Sequence, residues 1–273
     1  MLKAIKQARA AVGMLNPDEV GRRARQPVRV GLVAFDGAGY AAMEDFLGPA
    51  LDRVYRAGDA GAPDKVDVVL YQQGIPCPEG AYILRFDDPA ATIAEVLHDH
   101  GDQELALARQ FAPFRKPVVE RIIQAVSREN AMFAVATALP NLVPNLGELP
   151  WAFGEFASDT AFLTANQVRM AFLIAAACGK PVGYSERAAE ILSIVGTAFG
   201  WRALARELAG KIPFGGGIIP KGAIAYAGTY VVGKGLEQYH YAGAPHTRAQ
   251  REEVYRAALE RGKAIVEAVR GKL

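Results

Sequence analysis

The amino-acid sequence predicts an α+β, mainly α fold: a small N-terminal α/β unit of about three strands, followed by a hydrophobic helical bundle. Two patterns and the composition carry this expectation. β-branched runs bounded by turn residues occur between about residues 27 and 86, and from Glu104 onward Ala-rich apolar stretches replace them. With 273 residues, 51% hydrophobic and 22% charged, the chain is long and apolar enough for a substantial core, and a disordered polyelectrolyte is excluded.

Residues 1–26 predict two basic helices. Leu2, Ile5, Val12 and Leu15 form an apolar stripe opposite Lys3, Lys6 and Arg9. Asn16-Pro17 then opens a second helix, with Asp18 and Glu19 placed to complement its dipole. Residues 27–103 form the α/β unit. A strand at 27–34 (PVRVGLVA) leads through Asp36-Gly37-Ala38-Gly39 into a helix from about Tyr40 to Arg56. Further strands are expected at 66–71 and, more weakly, 81–86; Asp88-Pro89 then caps a helix reaching about His98. These strands are too few for a full doubly wound sheet.

Residues 104–245 predict a hydrophobic helical domain with segments near 104–112, 117–139, 149–178, 185–210 and 218–242, and Gly215-Gly216-Gly217 as a hairpin hinge. Residues 246–273 predict an amphipathic helix. Thr247 and Gln250 have capping-box spacing, Val254, Ala258, Ile265 and Val269 share a stripe, and Glu252, Arg256, Glu260 and Lys263 face water.

Charge is distributed unevenly. The first 30 residues hold seven Lys and Arg against Asp18 and Glu19, while the whole chain carries only a formal +2. An anionic membrane surface therefore fits the N-terminus, whereas nucleic acid is disfavoured as a partner. Lys3, Lys6 and Arg9 interrupt the opening apolar residues, so no secretory signal is expected. Cys77 and Cys178 are too few and too distant for a disulfide framework or a clustered zinc site, and the compartment reads as reducing. A span needs about 20 predominantly apolar residues, and no segment is clean at that length. Gly222, Ala225, Gly228 and Gly235 nonetheless line one helix side with small residues, as in membrane bundles or a tightly packed core.

The turn after the first strand is the candidate phosphate or nucleotide loop, through Gly37 and Gly39. Against G-x-x-x-x-G-K-[ST], the window 34–41 keeps only Gly39; Tyr40 and Ala41 replace the lysine and hydroxyl residue, which argues against NTP hydrolysis. Against G-x-G-x-x-[GA], Gly37, Gly39 and Ala42 match, but Gln72-Gln73 stands where a ribose-binding acid is expected. Glu148, Glu155, Asp159, Asn166, Gln167 and Arg169 lie in apolar surroundings and predict a buried polar network, with Arg202, Arg206 and Lys221 as further partners. No histidine stands at metal-ligand spacing near them. His98, His100, His240 and His246 read as surface residues, Cys178 as a small buried residue and Cys77 as loop. No catalytic residue, metal or cofactor is assigned.

The segments PNLVPNLGELPWAFGEFASDTAFLTANQVRMAFLIAAACGK and FGWRALARELAGKIPFGGGIIPKGAIAYAGTYVVGKGLEQYH carry a proline-containing turn and the pattern Leu163, Thr164, Gln167, Met170. A P-x-G-G hairpin then leads into a glycine-spaced helix over 213–235. Over about residues 115–243 this resembles the bacterial helical domain of unknown function 697, which includes YcjF-type inner-membrane proteins and domains fused behind Era-like GTPases. The resemblance implies a hydrophobic helical module at the cytoplasmic membrane beside a GTPase, without established enzymatic activity. It also allows residues 30–47 to be a decayed P-loop strand and helix, although no N-K-x-D guanine motif occurs.

The leading expectation is a non-enzymatic scaffold or effector on the cytoplasmic side of the inner membrane, peripheral or inserted, with a GTPase or a second copy of itself as further partners. The alternatives are a nucleotide-responsive module and a soluble cytoplasmic carrier of an apolar ligand.

Overall fold

The computed structural model describes residues 15–59, 63, 65–138, 159–194 and 218–270, with backbone alone at 138, 159–160, 218–220 and 270. The fold is α+β and mainly helical. Two compact units divide the chain: residues 18–120 with 175–181, and residues 1–17, 121–174 and 182–273. The expected helix before residue 15, the glycine hinge at 215–217 and the segments 149–158 and 195–210 lie outside the described residues.

In the α/β unit, α1 (Pro17–Ala24) precedes β1 (Val30–Val33), α2 (Gly37–Leu47), β2 (Val54–Arg56), β3 (Val68–Gln72) and β4 (Tyr82–Leu84); α3 (Pro89–Asp99) and α4 (Glu104–Gln110) follow. The strands form one all-parallel sheet in the order β2-β1-β3-β4, with Val30 opposite both Val54 and Val68, and Leu70 opposite Tyr82. Val30, Leu32, Leu70 and Leu84 are buried with Met43, Leu47, Val96 and Leu97 of α2 and α3, as a sheet covered by helices requires. Asp88 accepts from Ala91 N at 3.2 Å and so caps α3. Thr92 Oγ1 donates to Ile83 O at 2.8 Å, which ties α3 to β4.

The sheet has four strands where about three were expected, and the helix after the first turn stops at Leu47 instead of continuing to Arg56. Gly48, at φ 90°, turns the chain in a region that side chains resist, and Pro49 follows. The released segment pairs with β1 as an edge strand of 3 residues, too short for any alternation to reveal it. Its end is fixed by a two-point ion pair: Arg56 Nε and NH2 donate to Glu44 Oε1 and Oε2 at 2.6 and 2.8 Å. Arg56 beside Glu44 holds that carboxyl below the ordinary carboxylate range.

The helical unit contains the larger part of α5 (Ala112–Ala138), most of α6 (Asp159–Ala177), a helical stretch at 188–194, α7 (Ile218–Ala242) and α8 (Arg248–Arg270). α8 starts from a reciprocal capping box: Gln250 N donates to Thr247 Oγ1 at 3.3 Å and Thr247 N to Gln250 Oε1 at 2.9 Å. Its buried side is Tyr255, Ala258, Gly262 and Val266, whereas Val254, Ile265 and Val269 of the expected stripe are only half-buried. The helix is rotated because Gly262 lets α7 come close; a Cβ there would lie 3.0 Å from Ala223 Cα and O.

The expected small-residue side of α7 is likewise redistributed. A Cβ on Gly222 would meet Val266 and Val135 at 2.6 and 2.8 Å, and one on Gly233 would meet Ile123 at 2.8 Å. Among the described residues no atom lies within 4 Å of a Cβ on Gly228 or Gly235. No helix among the described residues is long and apolar enough to cross a membrane.

Candidate functional sites

The order β2-β1-β3 places a topological switch point beyond the carboxyl ends of β1 and β3, where open α/β sheets bind ligands. Gly37 and Gly39 lie there, and the chain fills the position itself. Asp36 caps α2 by accepting from Gly39 N at 2.8 Å, putting a carboxylate where a phosphate would need the same amide. From the end of β3, Gln72 Oε1 accepts from Phe35 N at 3.1 Å, and a Cβ on Gly39 would collide with that oxygen. Gly39 is thus required by the close approach of Gln72 and of Ala34 Cβ at 3.1 Å, whereas no atom of the described residues lies within 4 Å of a Cβ on Gly37. Phe35, at the rim, is 65% exposed.

In the helical unit Asn166, Gln167 and Arg169 belong to one polar relay. Its other members, Glu129, Asn130 and Thr229, were missed in the sequence. Arg169 pairs with Glu129, and its Nε donates to Asn166 Oδ1 at 2.9 Å. Asn166 Nδ2 donates to Asn130 Oδ1 at 2.9 Å and Glu129 Oε2 at 3.0 Å. Asn130 Nδ2 donates to Thr229 Oγ1 at 2.8 Å, and Gln167 Nε2 reaches the same oxygen at 3.3 Å. Asn130, Asn166 and Thr229 are almost wholly buried, so the relay binds α5, α6 and α7 by replacing water with matched partners. Glu148 and Glu155, with Arg202 and Arg206, lie outside the described residues, as does the side chain of Asp159. Lys221 Nζ donates to Thr137 Oγ1 at 3.2 Å. The one sequence signal for the missing members is Asn130 itself, a lone amide beside Ala131, Phe133 and Ala134.

A second polar group joins the stretch 188–194 to α7. Arg187 NH1 donates to Glu190 Oε1 at 2.8 Å, and His240 Nε2 lies 3.8 Å from Glu190 Oε2. Burial pushes the Glu190 carboxyl above the ordinary carboxylate range against the opposing pull of Arg187. The His240 side chain is thus enclosed at 2% exposure, not on the surface as the sequence suggested. Next to this group is a cavity of about 340 Å³, bounded by 189–194, α7 and the start of α8, with His246 and Arg251 in its wall.

His100 packs edge-on against Tyr82 with ring centres 6.0 Å apart, and Tyr82 Oη donates to Asp99 Oδ2 at 2.9 Å. Burial raises the Cys77 thiol, opposite to what a nucleophile needs. Among the described residues no group of three or more His, Cys, Asp or Glu side chains is arranged to hold a metal ion. No family model, no curated protein and no solved structure matches the chain.

Proposed function

We propose that this chain is a non-enzymatic helical scaffold attached to an anionic membrane surface by its basic N-terminal segment. The observation that carries the reading is the disposition of charge at the start of the described chain: Arg22, Arg25 and Arg29 are exposed, while Leu15, Pro17, Gly21 and Ala24 are buried. The apolar side of α1 is occupied by protein, so the attachment proposed is superficial and electrostatic. Each Lys or Arg near such a surface contributes about 1 kcal/mol, and a cluster of them gives measurable binding. Glu19 pairs with Arg22 and offsets part of that attraction. The matched relay from Glu129 to Thr229 supports a structural use of the polar groups in the helical unit. A GTPase partner rests on the resemblance alone and is not part of the proposal.

Sedimentation of the full chain with vesicles of phosphatidylcholine and phosphatidylglycerol tests it. Binding at low salt is expected, with release near 1 M salt, where the Debye length is about 3 Å, and loss when Arg22, Arg25 and Arg29 are changed to Glu. Equal binding to phosphatidylcholine alone, retention at high salt, or no binding at low salt overturns the reading.

A further inference from the structure

The cavity beside Glu190 is large enough to be a site. Its volume of about 340 Å³ falls within the range of small-molecule pockets and far exceeds the roughly 30 Å³ that one water occupies. Ile194, Val231, Val232 and Leu236 make its body apolar, so water gains little by filling it. From Val231 to Tyr239 the wall follows α7 for about 12 Å at the helical rise, the length of a medium-chain acyl group.

Charge at the polar end selects the head group. Glu190 also lines this wall: its Oε1 accepts from Arg187 at 2.8 Å, while its Oε2 is buried without a hydrogen-bond partner among the described residues, 3.8 Å from His240 Nε2. Arg251, in contrast, has a guanidinium with no hydrogen bond or ion pair among the described residues, and His246 Nδ1 is buried without a hydrogen-bond partner. The charge at the rim is the Arg251 guanidinium, a donor that a carboxylate would satisfy, and His246 in its Nδ1–H tautomer would donate to the same carboxylate. Gly235 keeps the space open: no atom of the described residues lies within 4 Å of where its Cβ would stand, although alanine is the better helix former.

We infer that this cavity binds an apolar monocarboxylate, with the acyl chain along α7 and the carboxylate between His246 and Arg251. Calorimetric titration of the full chain with decanoate, and with decanol and decylamine as head-group controls, tests the inference. Saturable one-to-one binding of decanoate is expected, with both controls at least tenfold weaker. Gly235→Leu should abolish binding by filling the space. Arg251→Gln, a change at an exposed side chain, should weaken it about tenfold while leaving the melting curve in place. Decylamine binding as well as decanoate, absence of decanoate binding to the folded chain, or unchanged titrations for both variants overturns it.

Discussion

Gln72 lies across Gly39: the oxygen that accepts from Phe35 N at 3.1 Å is the one that a methyl group on Gly39 would strike. Alanine favours a helix over glycine by about 0.5–1 kcal/mol, so the sign of Gly39→Ala depends on that oxygen. In the native chain the substitution should lower stability by about 1 kcal/mol, the value of the displaced hydrogen bond with its crowding. In a Gln72→Ala background the loss should shrink toward zero, with Ala34 Cβ, 3.1 Å from the new methyl, as the remaining crowding. Urea unfolding of the four proteins checks this, and additive effects would show that Gln72 does not hold the turn.

Removal of Asn130 should be far more damaging than removal of Glu129. Asn130 bridges Asn166 and Thr229 at full burial, so Asn130→Ala breaks two buried hydrogen bonds at once, leaves Thr229 only the longer bond from Gln167, and should cost about 2–4 kcal/mol. Glu129 has a side chain 21% exposed, and Glu129→Gln should cost about 1 kcal/mol. Thermal melts by circular dichroism would separate the two, and equal losses would contradict the relay's order.

Ser127 presents the converse case. It is fully buried and its hydroxyl has no hydrogen-bond partner among the described residues. Ser127→Ala removes an unmet polar group from a helix at almost no loss of volume, and should raise stability by about 1 kcal/mol. A lowered melting temperature would refute this.

The glycines of α7 should divide by the space around them. Gly228→Ala meets open space and should stabilise by up to about 1 kcal/mol through helix propensity. Gly222→Ala pushes against Val135 and Val266 and should destabilise by roughly 1–3 kcal/mol. The test is whether the two denaturation midpoints move in opposite directions.

Burial, reinforced by the bond to Asp99, pushes the Tyr82 hydroxyl from 10.0 up to about 12. A folded-state value above the unfolded one stabilises the fold fully below pH 10, and this contribution is lost as pH rises from 10 to 12. Tyr82→Phe should cost about 1–2 kcal/mol at neutral pH and flatten the stability profile across that alkaline window. Ultraviolet titration should also lose one late-ionising tyrosine.

The elements set by local chemistry were legible in the sequence. Asp88-Pro89 and Thr247 with Gln250 announce their helix starts because each cap is completed within 3 residues. β2 was not legible, since its 3 residues gain strand geometry only by pairing with β1. Of the relay, α6 displayed its own polar side chains, but Asn130 and Thr229 stand 99 residues apart and declare themselves only in the packed helices. The cavity was invisible for the same reason: its boundary comes from three separate segments, and Gly235 contributes to it by having no side chain.

Asp36 has a competitive meaning as well as a structural one. Its carboxylate is a covalently tethered competitor for the amides at the start of α2, present at an effective concentration of about millimolar or higher. A free phosphate would have to displace this resident group and then endure its negative charge nearby. The turn is in this sense self-inhibited, and Asp36→Gly would be the first change to make if it were to be re-engineered as an anion receptor.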